Sequence, residues 1–253
     1  PYTVATDING NEQTGTGILA LSTFGPVTAG AGYFNNTNLN HSAELNASRG
    51  YGIDNYSGVL DGGQDLYVAT LQGNLDFVKL EAWYAGMSQV FNSYTLAATS
   101  KLDLAESAKL GLEARYVNLS LQDAFKRATH TDYESNNSML RLAVDGKFSI
   151  VNARIAFIKT GKDGGLTALD QDAQNTSLGW AITSNGYADA NYWQAALGAD
   201  ILDNLNFTLN YGNLTSKDYT GSNTAVLFNN VKAEELYGQL TYKMSKNLNT
   251  YLR

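Results

Sequence analysis

Cysteine is absent from this 253-residue chain, and proline occurs only twice. The first absence excludes a disulfide scaffold and a cysteine-ligated zinc site, while leaving the cellular compartment open. No run of 18 apolar residues occurs, so no segment reads as a transmembrane helix. A basic excess is missing too: the formal net charge is −7, which argues against a nucleic-acid partner, since such partners select a basic face. What is plentiful is glycine (24) and tyrosine (16). A polar average of this kind fits a soluble β-protein. It fits a membrane barrel equally well, because half of each barrel strand faces water.

Alternation with period two dominates the chain. In "SMLRLAVDGKFSIVNARIAF", Ser138 to Phe157, one face takes Leu140, Leu142 and Val144, then Val151, Ala153, Ile155 and Phe157. The other face takes Arg141, Asn152 and Arg154, and Asp145-Gly146 reads as a two-residue hairpin turn. About twelve strands can be placed in this way, at 15–24, 26–34, 64–73, 76–86, 89–99, 106–118, 136–144, 147–159, 189–201, 204–214, 232–244 and 247–253. The stretch Leu102 to Tyr116 also fits a helical stripe, but Leu110, Leu112 and Ala114 alternate with Lys109, Glu113 and Arg115, which favours a strand.

Connections alternate in length. Short ones are expected at Gly25-Pro26, Gly73-Asn74, Ser100–Ala105, Asp145-Gly146, Asp203-Asn204 and Ser245–Asn247; between them lie mostly long polar ones, at 35–63, 119–135, 160–188 and 215–231, with a short exception near 86–89. A compact soluble domain seldom carries four long structureless loops, whereas an outer-membrane barrel pairs tight turns at one end with long loops at the other. Aromatic residues repeat the asymmetry. Trp83-Tyr84, Tyr116, Phe157, Tyr192-Trp193 and Tyr211 lie near the long links; Phe77, Phe148 and Tyr242 lie near the short turns. Two belts at opposite strand ends are what interfacial anchoring predicts. The fold class expected is therefore all-β, a transmembrane antiparallel β-barrel of porin type, as one domain over residues 1–253. Leu110, Leu112, Leu140, Leu142, Val151, Ile155, Phe207, Leu209, Leu236 and Leu240 are expected to face lipid.

Chemistry-bearing motifs are sparse. His41 and His130 fall in loops without a serine motif or a placed carboxylate. Glu81 and Glu113 each have a basic neighbour two residues away, Lys79 and Arg115, which resembles a charge lattice more than a paired-acid glycosidase. Gly15–Gly17 and Gly161–Gly165 lack the context of a phosphate loop. "DQDAQNT", Asp170 to Thr176, lacks the glycine and final glutamate of an EF-hand. Asp7 and Glu12 make a better pair for a hard cation, leaving room for a loop-bound divalent ion such as calcium, but no cofactor is otherwise implied. No catalytic set emerges. The chain opens at Pro1 without a methionine or signal peptide and stops at "NLNTYLR" inside an alternating run; it reads as an internal piece of a longer protein.

Five stretches carry a resemblance: "TDINGNEQTGTG" from Thr6, "LYVATLQGNLDF" from Leu66, "EARYVNLSLQD" from Glu113, "LNFTLNYGNL" from Leu205 and "ELYGQLTYKMSKNLN" from Glu235. In order and spacing they resemble the major outer-membrane porins of Campylobacter and related epsilonproteobacteria. The resemblance implies an eighteen-stranded trimer, with five strands before Gly15 and one after Arg253. It also implies that residues 1–14 are the end of a constriction loop folded into the lumen, with Asp7 and Glu12 near its narrowest point. Asn11 stands where relatives carry an acid, which counts against a family-type cation site there.

The function expected is a general diffusion porin in the bacterial outer membrane. It would be a water-filled, weakly charge-selective channel for small hydrophilic solutes and ions, with membrane lipid and lipopolysaccharide as surroundings. The alternatives are a surface-exposed adhesin or antigen, and a soluble β-sandwich binding protein. The expected lining is Lys79, Glu81, Lys109, Glu113, Arg115, Arg141, Asn152, Arg154 and Asn210. With the turn at Asp145-Gly146, Arg141 faces Ile150 and Arg154 sits about 13 Å further up. Arg115, Arg141 and Arg154 would then form a staggered basic patch, not a compact cluster. The competing expectation is that each arginine only pairs with an acid such as Glu113.

Overall fold

The computed structural model describes residues 15–37, 65–129, 134–168, 174–177, 179–219, 229–246 and 248–253. Their alternating runs form β1 (Gly15–Phe24), β2 (Val27–Thr37), β3 (Leu66–Leu75), β4 (Val78–Met87), β5 (Phe91–Ala105) and β6 (Ala108–Leu121). They continue as β7 (Asn136–Phe148), β8 (Val151–Thr160), the two-residue β9 (Tyr187–Ala188), β10 (Asn191–Leu202), β11 (Leu205–Tyr219), β12 (Asn229–Ser245) and β13 (Leu248–Leu252). One helix, α1 (Asp123–Thr129), interrupts the β6–β7 link. Every strand pairs antiparallel with its neighbours in chain order, except that β8 pairs with β10 while β9 adds onto β11. The result is a single up-and-down sheet.

Among the described residues six two-residue turns lie at one end, as the closing pairs Phe24↔Val27, Leu75↔Val78, Ala105↔Ala108, Phe148↔Val151, Leu202↔Leu205 and Ser245↔Leu248 define them; at the other end β4 and β5 are joined by a tight turn between Met87 and Phe91. Three turns sit further along than the sequence suggests. The hairpin at Gly73-Asn74 turns at Asp76-Phe77, the one at Ser100–Ala105 turns at Glu106-Ser107, and the one at Asp145-Gly146 turns at Ser149-Ile150. The physical reason is visible at Asp145. Its carboxylate accepts from Arg154 Nη1 at 2.7 and 2.8 Å across the strand pair, so an Asp-Gly dipeptide is stable inside a strand. Ser149 supplies the left-handed residue of the real turn, with φ at 52°.

One face of the sheet is apolar and exposed. Leu112, Leu140, Leu142, Val151, Ile155, Phe207, Leu209, Leu236 and Leu240 all lie on it, and Leu110 is half-buried there. Among the described residues no second layer covers this face, so these side chains do not form a closed core. Tyr33, Tyr84, Phe157 and Tyr211 each stand six residues above the first residue of their strand, Val27, Val78, Val151 and Leu205, which sets a belt roughly 20 Å from the turn end. Phe24, Phe77 and Phe148 mark that turn end. Trp83 and Tyr192, expected in the upper belt, face the other way: Tyr192 is fully buried and Trp83 packs against an inner cluster.

The opposite, inner face changes character along the strands. Toward the long links it is apolar and sealed. Leu66, Val68, Met87, Phe91, Leu119 and Leu121 pack with Phe125 of α1 and Leu166. Val117, Met139, Ala156, Ile158, Tyr192 and Leu214 form a second cluster. Burying Phe125 is worth about 2 kcal/mol, and Asp123 and Lys126–Arg127 at its two ends suit the helix dipole. Residues 160–188 are expected as a structureless external link; their described parts, 160–168, 174–177 and 179–188, instead lie over this inner face and contain β9.

Candidate functional site: the charged inner face

Below the apolar clusters the inner face is polar. Lys79 and Glu81 of β4, Lys109, Glu113 and Arg115 of β6, Arg141 of β7, Asn152 and Arg154 of β8 and Asn210 of β11 all lie on it by strand alternation and register. Lys79 bonds Glu81 at 3.0 Å, and Lys109 bonds Asp103 at 3.3 Å. Lys147 reaches Asp200 at 2.8 Å. Asn152 faces Gly198, where a side chain would collide with it: an added Cβ would stand 2.4 Å from the Asn152 Oδ1 and 2.6 Å from the Thr208 Oγ1.

The arginines converge. Register sets Arg141 opposite Arg115 and Ile158, not Ile150, because the turn lies four residues beyond Asp145-Gly146. Glu113 Oε1 accepts from Arg141 Nη2 at 2.6 Å, Arg141 Nε at 3.1 Å and Arg115 Nε at 3.3 Å. Its Oε2 lies 3.5 Å from Arg154 Nη2, whose other nitrogen holds Asp145. The staggered patch expected from the sequence is thus replaced by a compact cluster of three guanidinium groups on two carboxylates. Arg115 is only 5% exposed, and so depends on Glu113 to balance its charge. Lys79, Glu81, Lys101, Glu113, Arg115 and Arg141, together with Gln174, border a polar hollow of about 680 Å³.

The segment between β8 and β10 completes the site. Arg141 Nη1 donates to the Thr176 carbonyl at 2.8 Å and to Ser177 Oγ at 3.3 Å, while Arg115 Nη2 reaches Gln174 Oε1 at 3.4 Å. On the far side Glu235 of β12 accepts three consecutive backbone N–H groups, from Trp180 at 3.1 Å, Ala181 at 2.8 Å and Ile182 at 3.2 Å. Gly179 permits that approach, since a Cβ there would fall 1.6 Å from the Glu235 Oε1. Asn185 ties the segment to itself, accepting from the N–H groups of Thr167 and Ala168 and donating to the Ala168 carbonyl. The segment is therefore clamped across the inner face from β7 to β12. Its outer corner is Asp189, held by Lys159 and, at 2.9 Å, by Lys217. Hydrogen bonds from Lys159 and then Lys217 bring the Asp189 carboxyl down to about 2.

Asp145, Gln174 and Glu235 are functional neighbours that the sequence reading missed. Glu235 shares its face with Tyr237, Gln239 and Thr241, so alternation could have found it. Gln174 lies in a segment without period and gives no such signal. Asp7, Glu12, His41, His130 and most of Asp170–Thr176 lie outside the described residues. Among those described, no group of three or more His, Asp or Glu is placed to hold a metal.

No protein-family model matches the chain, and no curated protein matches it. Solved structures do. The outer membrane protein opdK from Pseudomonas aeruginosa aligns with a TM-score of 0.73 at 17% identity, over 99% of this chain and 66% of its own. OpdL from Pseudomonas aeruginosa aligns with a TM-score of 0.71 at 18% identity, over 96% and 64%. OccAB2 from Acinetobacter baumannii gives 0.70 at 17% identity, over 98% and 62%. The chain spans just under two thirds of the length of these structures. At such identities the likeness concerns the fold, which is the antiparallel meander of outer-membrane β-barrel porins.

Proposed function

We propose that this chain forms most of the wall of a general diffusion channel in a bacterial outer membrane, passing small hydrophilic solutes and ions. The observation that carries the reading is one sheet with two unlike faces: an uncovered apolar face between aromatic belts, and a paired-charge face crossed by a clamped segment. Lipid would cover the first and water the second. A soluble β-sandwich does not fit, because its apolar face would be buried against a second sheet. An adhesin role has no site among the described residues to support it.

On this reading Lys79, Glu81, Lys109, Glu113, Arg115, Arg141, Asn152, Arg154 and Asn210 line the pore. Three arginines against Glu113 and Asp145 leave a small local positive excess inside an acidic chain, so net selectivity is weak and leans to cations. The five quoted stretches support kinship with the Campylobacter-type porins, and through it an eighteen-stranded homotrimer, contact with lipopolysaccharide and an inward course for residues 1–14. No catalytic chemistry is assigned. Reconstitution of the full-length protein in planar bilayers tests the reading. Discrete ohmic conductance steps are expected; a protein that remains soluble without detergent and never conducts would overturn it.

A further inference from the structure

The wall of β11–β13 carries a feature that ion passage does not use. On the inner face Tyr237 of β12 meets the edge of Trp180 at 5.4 Å between ring centroids. The guanidinium of Arg253 lies 5.7 Å from the Tyr237 ring and 5.0 Å from the Tyr251 ring. Tyr251 pairs with Thr241, four residues along β12 from Tyr237, so the rings run roughly 13 Å down the strand direction. Trp180 is 51% exposed on the inner face; Tyr251 stands on the edge strand β13, all of whose residues are exposed. Large aromatic faces open to water inside a polar trough need a reason, because their burial against a ligand is favourable by their area alone.

The groups beside the rings are amides and hydroxyls. Asn210 is directly opposite Tyr237, Thr208 opposite Gln239, and Asn206 opposite Thr241. Asn210 makes no side-chain hydrogen bond among the described residues, so its amide can offer one donor group and one acceptor to a ligand. Two charges border the ladder, and both are engaged: Glu235 by three backbone amides, Arg253 by two rings and by the Gln239 Oε1 at 2.7 Å. An anionic solute would be drawn instead to the three arginines on β6–β8.

We infer that Trp180, Tyr237 and Tyr251, with the Asn210 amide, form a weak saccharide-binding track along the channel wall. A pyranose ring has an apolar C–H face that stacks on an aromatic ring and an equatorial rim of hydroxyls that amides both donate to and accept from. Successive rings at strand spacing offer several weak sites instead of one tight one, which is what passage requires. The inference rests on the channel reading and adds the solute class.

Full-length protein in planar bilayers, with maltotriose added to one side, tests it. Maltotriose should interrupt the ion current in a saturable way. Trp180→Ala and Tyr251→Ala should each weaken that block about tenfold, near the upper end for one aromatic contact, while open-channel conductance in salt stays unchanged; Tyr251→Phe should retain the block. A conducting channel through which maltotriose gives no saturable block, or a block indifferent to both alanine variants, overturns the track and leaves the channel reading standing. Interruption by benzoate and not by maltotriose, lost in the same variants, overturns the saccharide assignment. Absence of any conductance overturns the channel reading and the track together.

Discussion

Strands β4–β8 and strands β10–β12 present the same outer face and very different inner ones. Outside, both carry leucine, isoleucine and aromatic residues in alternation, as Leu142 and Phe157 do on one side and Leu209 and Trp193 on the other. Inside, the first group carries mostly charges, Lys79, Glu81, Glu113, Arg115, Arg141, Asp145 and Arg154; the second carries mostly amides and hydroxyls, Gln194, Asn206, Thr208, Asn210, Gln239 and Thr241, with Asp200 and Glu235 among them. The difference shows which face is constrained. A surface meeting hydrocarbon must be apolar at every position, whereas a hydrated wall tolerates paired charges and amides about equally. On the channel reading, the residues that set ion and solute preference therefore lie at the inner alternate positions. The clamped segment bridges the two walls, with Arg141 at one end and Glu235 at the other.

The largest effect should be the one both walls share. Leu142→Arg on β7 and Leu209→Arg on β11 should each cost about 2–4 kcal/mol at mid-membrane depth, measured as a lowered denaturant midpoint for the refolded barrel. Equal penalties would support a common lipid face; a penalty on one strand alone would break the comparison. Next comes the charged wall. Glu113→Gln strips the counter-charge from Arg115 and Arg141 and should cost about 2 kcal/mol, with the reversal potential moving toward anions. Asn210→Ala on the amide-rich wall changes no charge and should leave the reversal potential unmoved.

Replacing Arg115, Arg141 and Arg154 together by serine should move the reversal potential the other way, toward cations, because Glu113 and Asp145 lose their partners. Arg154→Ser alone should move it the same way but less, since it frees Asp145 while Arg115 and Arg141 still hold Glu113. An unchanged potential in the triple variant would reduce the cluster to wall structure. The smallest effect concerns Asp189. Its carboxyl, held down by Lys159 and Lys217 to about 2, contributes stability that is complete above its usual range near 3.8 and is lost as pH falls through about 2. Hydrogen-exchange protection at residues 187–190, taken relative to the unfolded-chain rate at each pH, should therefore hold down to about pH 4 and fall below it; in Asp189→Asn it should be lower at neutral pH and lack that acid step.

Much of this was legible in the sequence. Alternation alone separates Leu140, Leu142 and Val144 from Arg141, and link lengths place the two-residue turns at one end, with the short β4–β5 link as the exception at the other. Turn positions were less legible. Asp145-Gly146 has the chemistry of a hairpin turn, yet its carboxylate finds Arg154 across the strand and stays in the ladder. That shift of four residues changed the partner of Arg141 from Ile150 to Ile158. With long side chains able to lean along the strand, it also turned a staggered patch into a cluster on Glu113. The clamp of the segment at Glu235 could not be read, because it uses backbone N–H groups of Trp180, Ala181 and Ile182, which any sequence supplies. The segment's inward course has no periodic signature for the same reason.

The account depends most on which face of the sheet meets water. The chain contains no cysteine, so single cysteines placed in turn at residues 151–157 of β8 in the full-length protein can report it directly. A charged, membrane-impermeant thiol reagent is added to open channels in a planar bilayer, and the current is followed. Modification at Asn152 and Arg154 should step the current, position 156 should stay unreactive because it is sealed in the apolar cluster, and modification at Val151, Ala153, Ile155 and Phe157 should leave the current unchanged. The opposite alternation, or equal reactivity along the strand, would contradict the two-faced wall.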